Sequence, residues 1–185
     1  NLIDYDDILL FSVKLLEENE DILKYYIGID GGGTKTAVVI GKNDGVCLST
    51  LEKSGCSHKA IGVDGVVSII SDSIIEITKS IGASIDECAG CCIGLPCFGE
   101  APEADAEITE RLKMAFPRIP MLIVNDVVVG WAGSLECSEG VHLVAGTGAI
   151  SYGRTNDGRE ARANGWSEFF GDEGSCYWIG KQAMS

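Results

Sequence analysis

The sequence has little positive charge and no long apolar run. Lysine and arginine number 14, against 28 aspartates and glutamates, so the formal net charge at neutral pH is −14. No basic stripe interrupts this acidic excess, which disfavours nucleic-acid binding. No apolar run approaches the roughly 20 residues of a membrane span, and the N-terminus lacks the basic region of a signal peptide. We therefore expect a soluble cytoplasmic protein without a membrane partner.

Hydrophobic residues make up 45% of the 185-residue chain, a composition typical of a globular protein. This length fits one full domain, or one domain and a piece of another. The first 24 residues contain apolar pairs that recur every seven residues, which predicts a helical N-terminal extension at 1–24. Such a helix can pack on the domain, pair with a partner, for example in a homodimer, or belong to an upstream module.

Half of the eight cysteines lie in one stretch, ECAGCCIGLPCFGE. They are Cys88, Cys91, Cys92 and Cys97. Their spacing suggests an iron–sulfur or zinc site, but Ala89–Leu95 reads as a buried strand, in which adjacent side chains point to opposite faces. We therefore predict that these cysteines are small buried hydrophobes in a reducing compartment.

The pattern of apolar residues predicts an α/β fold. Strands are predicted at Tyr26–Ile29, Lys35–Ile40, Val46–Leu51, Ala89–Leu95, Met121–Val124, Val141–Ala145 and Ile150–Arg154. Helices are predicted at about Asp64–Ser80, Ala104–Phe116, Val127–Leu135 and in the final segment YWIGKQAMS. The first three strands are joined by tight turns and form an antiparallel meander. The later alternation of strands and helices predicts a mixed sheet covered on both faces.

Three consecutive glycines separate the first two strands, in the stretch YYIGIDGGGTKTAVVIG. Glycine-rich turns after a strand often bind phosphates through backbone N–H groups. A Rossmann fingerprint or a P-loop needs a helix directly after the glycines, whereas Thr36–Ile40 reads as a strand. The loop is therefore predicted to be a hairpin tip. The same pattern recurs at LVAGTGAISYG, which suggests two clamps facing one polyphosphate.

Several motifs together resemble one family. GIDGGGTKT, VND, AGTGA and GWSEFFGDEGSCYWIG closely resemble, in order and spacing, the N-acetylglucosamine kinase and BadF/BadG/BcrA/BcrD ATPase family of the actin-like ATPase and sugar-kinase superfamily. GLPCFGE is also similar to a loop of that family. The resemblance runs from about Tyr25 to the end of the chain.

The resemblance implies a ribonuclease H-like fold, with a mixed five-stranded sheet flanked by helices in an N-terminal lobe at 25–139. A second, similar lobe is expected to begin at 140–185, with ATP and Mg²⁺ in the cleft between the lobes. The family's second lobe, which holds the adenine, is longer than this segment. We therefore expect the chain to be a truncated piece of a longer enzyme.

The resemblance also implies roles in phosphate and metal binding. It places Mg²⁺ at Asp30, usually through water, and makes Asp126 the general base that activates the sugar hydroxyl. The implied phosphate contacts are Gly31, Gly32, Gly33 and Thr34 in the first clamp and Gly146, Thr147 and Gly148 in the second. From the residues alone, Asp30 can also be part of an Asp-Gly turn, and Asp126 can be the N-cap of the next helix.

For the sugar, the resemblance implies contacts from His58, Asn125, Asp126, Trp166 and Asp172. Asp172 can instead cap a helix, and Trp166 can simply pack. His58 stands in a loop where the family often has asparagine, and it can equally be a solvated surface residue. If His58 replaces that asparagine, the sugar preference can differ from N-acetylglucosamine.

The expected activity is ATP-dependent transfer of the γ-phosphoryl group to the C6 hydroxyl of N-acetylglucosamine. Glucosamine and N-acetylmuramic acid are competing substrates within the same family. An alternative of another class is an ATPase that activates an acyl-CoA reductase or dehydratase, which needs a cysteine pair bridging a cluster between subunits; CAGCC is the candidate pair. A non-catalytic sugar sensor is disfavoured because both Asp30 and Asp126 are present.

Overall fold

The computed structural model describes residues 25–146, 148–166 and 169–185. Its strands are β1 (Tyr25–Gly31), β2 (Lys35–Gly41), β3 (Cys47–Ser54), β4 (Cys88–Leu95), β5 (Met121–Asn125), β6 (Gly140–Ala145), β7 (Ala149–Arg154) and β8 (Glu160–Asn164). Its helices are α1 (His58–Ser80), α2 (Pro102–Ala115), α3 (Asp126–Ser134) and α4 (Cys176–Ala183), with a 3₁₀ turn at Ile85–Glu87. The predicted extension at 1–24 lies outside the described residues.

The first sheet has five strands in the order β3-β2-β1-β4-β5. The hairpin pairings β1–β2 and β2–β3 are antiparallel, which confirms the predicted meander. Strands β4 and β5 continue the sheet in parallel with β1. Parallel neighbours need crossover connections, and α1 and α2 supply them. The three parallel strands therefore present their carboxyl ends at one edge of the sheet.

Apolar side chains cover both faces of this sheet, as predicted for a mixed α/β sheet. On one face, Ile29 and Ile93 pack with Ile70 of α1 and Leu112 of α2. On the other face, Val39 and Cys92 pack with Val129 and Trp131 of α3. Full burial of one such aliphatic side chain stabilises the fold by about 1.5–3 kcal/mol. The sheet is thus held between α1 and α2 on one side and α3 on the other.

The cysteines of β4 belong to these two cores. Cys91 lies on the α1 face and Cys92 on the α3 face, while Cys88 is also buried. Burial raises the pKa of the Cys88 thiol to about 12, so that this group stays neutral at physiological pH. The positions are those of small apolar side chains, as predicted. In the described parts of the chain, no cluster of three or more His, Cys, Asp or Glu side chains is placed to hold a metal ion.

Helix α1 begins earlier than the apolar stripe indicates. Its first residue is His58, so the prediction that His58 lies in a loop is wrong. Gly62 has φ 70° and ψ 173°, which breaks the helical geometry after the first turn. The apolar stripe starts only beyond this glycine, with Val66 and Ile70 buried, so periodicity reveals the second part of the helix and not the first turn.

The second sheet contains β6, β7 and β8 in sequence order, with antiparallel pairing throughout. It packs on α3, where Tyr152 meets the ring of Trp131 edge-on at a centroid distance of 5.8 Å. Strand β8 was not predicted, because its sequence EARAN is polar and mostly exposed. No helix in the described part of the chain is long and apolar enough to cross a membrane.

Candidate active site

The first glycine turn is a hairpin tip between β1 and β2, as predicted. The N–H of Gly32 donates to the carbonyl of Lys35 at 2.8 Å, and the N–H of Gly55 donates to the carbonyl of Thr34 at 3.0 Å. A Cβ atom at Gly31 would lie 2.3 Å from Cys56 Sγ, so a side chain cannot fit there. The chain after β3 therefore packs directly against the turn and fixes its conformation.

Asp30 lies near the carboxyl end of β1 and is mostly buried. Burial raises the pKa of its carboxyl group to about 6, and the nearby negative charge of Asp126 adds to this effect. Lys35 acts in the opposite direction, but its ammonium group lies on the exposed side and contacts Glu52 at 3.4 Å. Asp30 is therefore a poorly compensated carboxylate at the sheet edge.

The strand register places Asp126 at the same edge of the sheet as Asp30. Asp30 pairs with Gly94, and Gly94 pairs with Val124 two residues before Asp126. The carboxyl ends of parallel strands are where open α/β sheets bind ligands. Burial raises the pKa of Asp126, while the N–H of Val127 and the charge of Arg162 lower it. The carboxylates that follow β1 and β5, two parallel strands separated by β4, thus lie at one edge of the sheet.

The N-cap of α3 is Asn125 and not Asp126. The Asn125 Oδ1 accepts from the N–H of Val127 at 3.2 Å, and its Nδ2 donates to the carbonyl of Phe98 at 2.8 Å. Asp126 is the first residue of the helix, and its Oδ1 accepts from the same N–H at 2.9 Å. Asp126 therefore shares the cap contact but does not supply the cap residue.

Two cavities open between the sheets. The larger, of about 440 Å³, contains most of the predicted phosphate and sugar contacts: Gly33, Thr34, Asn125, Asp126, Gly146, Gly148 and Asp172. The smaller, of about 220 Å³, contains Asp30, Gly31 and Gly32 and again Asp126. The structure thus brings both glycine turns and the carboxylates of Asp30, Asp126 and Asp172 to one cleft. Thr147 lies outside the described residues.

Asp172 is placed inside this cleft by an unusual backbone conformation. It has φ 62°, and its N–H donates to Asn164 Oδ1 at 2.8 Å. Its side chain packs against Gly148, where a Cβ atom would approach Asp172 Oδ2 to 2.9 Å. Among the described residues, the buried Oδ1 has no hydrogen-bond partner. A buried carboxylate oxygen without a partner is costly, which indicates a place for a ligand donor.

Three sequence predictions differ from this geometry. The N-cap of α4 is Ser175, whose Oγ accepts from the N–H of Trp178 at 3.1 Å, because a turn separates Asp172 from the helix. Trp166 is 63% exposed and does not line either cavity. His58 does not line them either, because it belongs to the first turn of α1.

Sequence reasoning missed two charged residues of the larger cavity, Glu100 and Arg162. Arg162 lies in β8 and pairs with Glu100 at 2.7 Å, although the two residues are 62 positions apart. Glu100 also pairs with Lys59 at 2.9 Å. A lone arginine in a polar segment gives no periodic signal, and the motif resemblance did not include it.

Two curated relatives are similar to this chain. The N-acetylmuramic acid/N-acetylglucosamine kinase of Clostridium acetobutylicum is 36% identical over 163 residues, which cover 88% of this chain and 53% of that protein. The N-acetyl-D-glucosamine kinase of Dictyostelium discoideum is 30% identical over 164 residues, covering 84% of this chain and 51% of that protein. The chain thus spans about half the length of the curated relatives it matches.

Solved structures share the fold. A provisionally named N-acetylglucosamine kinase from Chromobacterium violaceum superposes with a TM-score of 0.69 at 22% identity, covering 88% of this chain and 56% of that chain. The fold is therefore that of actin-like ATPases and sugar kinases, with a ribonuclease H-like sheet. The family model of the BadF/BadG/BcrA/BcrD ATPases matches residues 27–185. The chain belongs to the BadF/BadG/BcrA/BcrD ATPase family.

Proposed function

We propose that this chain forms the phosphate- and sugar-binding part of an ATP-dependent amino-sugar kinase. The reaction transfers the γ-phosphoryl group to the C6 hydroxyl of N-acetylglucosamine, with N-acetylmuramic acid and glucosamine as related substrates. The observation that carries the proposal is the larger cavity, which Asp126 lines together with residues of both glycine turns. Phosphoryl transfer needs mainly such positioning of donor and acceptor around one base. The names of the curated relatives support the same class.

Asp126 is the general base of the proposed reaction. Its carboxylate hydrogen-bonds the acceptor hydroxyl, orients it toward the γ-phosphorus and accepts its proton. Burial raises the pKa of Asp126 from its ordinary value, which makes the carboxylate a better proton acceptor. The hydrogen bond from the N–H of Val127 and the charge of Arg162 limit the rise of this pKa.

Asp30 and the glycine turns fit a magnesium–nucleotide complex. Mg²⁺ prefers a few carboxylates together with phosphate oxygens, and it would neutralise charge on the phosphoryl group in flight. The raised pKa of Asp30 reflects burial of its carboxylate beside the negative charge of Asp126, which the charge of Lys35 offsets only in part. A cation would remove that cost. The backbone N–H groups of Gly31–Thr34 and Gly146–Gly148 would hold the phosphates.

Asp172 is the proposed contact for the sugar hydroxyls, because its unpartnered Oδ1 borders the same cavity as Asp126. Asn125 holds the start of α3 and so orients Asp126. Trp166 and His58 remain candidate sugar contacts that would require movement toward the cavity.

Residues 25–139 would form one lobe and 140–185 the beginning of another, in a cytoplasmic enzyme. The proposed homodimer stays a prediction.

The alternative function is the ATPase that activates a partner reductase or dehydratase. That role needs cysteines that reach a subunit surface, whereas Cys88, Cys91 and Cys92 are buried within β4. The two functions also differ in their use of sugar: a kinase releases ADP only with its acceptor, and an activator does not need one.

The test is a coupled ADP-release assay on the full-length protein with Mg-ATP and either no sugar, N-acetylglucosamine, glucosamine or N-acetylmuramic acid. We expect release to require one sugar, and Asp126→Asn to lower kcat about 10²–10⁴-fold, the usual contribution of a general base. Asp44→Asn, in the exposed turn after β2, is the matched control and should retain activity. Equal ADP release with and without every sugar would move the protein to the activator class.

A further inference from the structure

Arg162 connects the two sides of the cleft. Its Nη2 donates to Glu100 Oε1 at 2.7 Å and to the carbonyl of Gly165 at 3.0 Å. Its guanidinium carbon lies 5.3 Å from the ring centroid of Trp166. Glu100 belongs to the connection that follows β4 of the first sheet, whereas Arg162, Gly165 and Trp166 belong to the second sheet and the loop after it. One side chain therefore links the first sheet to that loop.

Glu100 anchors this arginine firmly. Its side chain is only 25% exposed and pairs with both Lys59 and Arg162. Burial alone would raise the pKa of Glu100, but the hydrogen bonds from Lys59 and Arg162 more than offset it and lower the pKa. Charge-assisted pairs of this kind are shorter and stronger than neutral hydrogen bonds. Glu100 therefore remains an anion that keeps Arg162 in a fixed position.

Residues 165–166 and 169–172, called here the acceptor loop, are held at both ends. At its start, the carbonyl of Gly165 accepts from Arg162, and at its end the N–H of Asp172 donates to Asn164. Gly165 and Asp172 both have positive φ values, 75° and 62°. Such conformations persist only where surrounding contacts impose them, particularly for a residue with a side chain. The contacts at the ends of the acceptor loop thus aim Asp172 into the cavity.

We propose that Arg162, fixed by Glu100, is a positioning residue for the acceptor sugar: it holds the acceptor loop so that Asp172 faces the cavity beside Asp126. This inference rests on the proposed kinase function. Arginine suits the role because its planar guanidinium donates in two directions while its face covers an aromatic ring. Lysine, with a compact ammonium group, cannot make all three contacts together.

The first test measures steady-state kinetics of the full-length protein. In Arg162→Gln and Glu100→Gln, we expect the KM for the sugar to rise about tenfold, the loss of one hydrogen bond to a charged group, while the KM for ATP stays within about twofold. Arg162→Lys should fall between wild type and Arg162→Gln. The double variant should resemble either single variant, because both substitutions break one linked unit.

The matched control is Arg159→Gln. Like Arg162, Arg159 pairs with a carboxylate, that of Asp157, at 2.9 Å. Unlike Arg162, it lies in the exposed turn before β8. Its removal should leave both KM values unchanged. A rise in the KM for ATP equal to that for sugar, or equal effects in the control, would overturn the positioning role, since a general loss of stability would produce either result.

The second test does not depend on activity. Hydrogen exchange of the full-length protein, followed by mass spectrometry, should show faster exchange in the acceptor loop of Arg162→Gln and Glu100→Gln, with the rest of the second sheet unchanged. Unchanged exchange in that loop would refute the inference. If the wild type shows no sugar-dependent ADP release, the proposed function fails, and the exchange result alone then decides whether Arg162 holds the loop.

Discussion

Replacement of Asp30 by asparagine is expected to stabilise the folded protein while it removes metal binding. The pKa of Asp30 is about 6 in the folded chain, against an ordinary value of 3.8. The rise of about 2 units corresponds to about 3 kcal/mol, at roughly 1.4 kcal/mol for each unit. Burial is the main cause, so the ionised carboxylate is less stable in the fold than in the unfolded chain.

The sign of the pH dependence follows from this direction. Because the folded pKa is the higher one, protonation of Asp30 favours folding. This contribution is fully present below pH 3.8 and is lost as the pH rises to about 6. At pH 8 the asparagine variant, which carries no charge, should therefore have a free energy of unfolding up to about 3 kcal/mol above wild type, and the difference should shrink toward pH 4.

Urea unfolding monitored by circular dichroism, with EDTA present, measures this difference. Asp44→Asn is the control: Asp44 is exposed, and asparagine can keep its contact with the N–H of Val46. Saturating Mg-ATP should reverse the order, because a ligand at 1,000 times its Kd stabilises wild type by about 4.1 kcal/mol and should not bind the variant. A variant that is no more stable than wild type at pH 8 would refute the reasoning.

Four further substitutions probe the packing around the site. Gly31→Ala places a Cβ atom 2.3 Å from Cys56 Sγ and should lower the free energy of unfolding by about 1–3 kcal/mol and abolish nucleotide-dependent stabilisation, whereas Gly33→Ala has open space and should do neither in thermal-shift assays. Gly94→Ala places a Cβ atom 2.7 Å from Val129 Cγ2, displaces the start of α3 and should lower kcat more than it raises either KM. Cys91→Ser buries a hydroxyl in an apolar core and should cost about 1–3 kcal/mol in urea unfolding; a neutral result would contradict the apolar role of this cysteine.

The sequence predicts the first sheet well because its signals are local. Thr36–Ile40 is β-branched and too short for a helix, which distinguishes the hairpin tip from a Rossmann turn or a P-loop. The apolar run before Asp126 predicts a buried strand with a carboxylate at its end. Alternation along a strand also predicts that Cys91 and Cys92 separate to opposite faces, as they do.

Features that depend on distant contacts could not be predicted in the same way. Strand β8 is polar, and it is a strand because β7 offers it a hydrogen-bonded edge. The pairing of Arg162 with Glu100 joins residues 62 positions apart, and no local pattern identifies them as partners. The cap of α4 is another example: a turn with two positive φ values, at Asp172 and Gly174, delays the helix until after Ser175.

The geometry of the site depends on how closely α3 approaches both sheets. Gly94 has no side chain, so Val129 and the backbone of Asp126 can lie against β4. The Trp131 side chain of the same helix packs against Tyr152 of β7. This contact holds the second sheet so that the glycines of the β6–β7 turn line the same cavity as Asp126. Helix α3 therefore sets two distances at once: that of Asp126 from Asp30 and that of Asp126 from the second glycine turn. A change that tilts α3 should raise the KM for ATP and the KM for the sugar together, whereas loss of the Arg162 contact should raise the KM for the sugar without a matching rise in the KM for ATP.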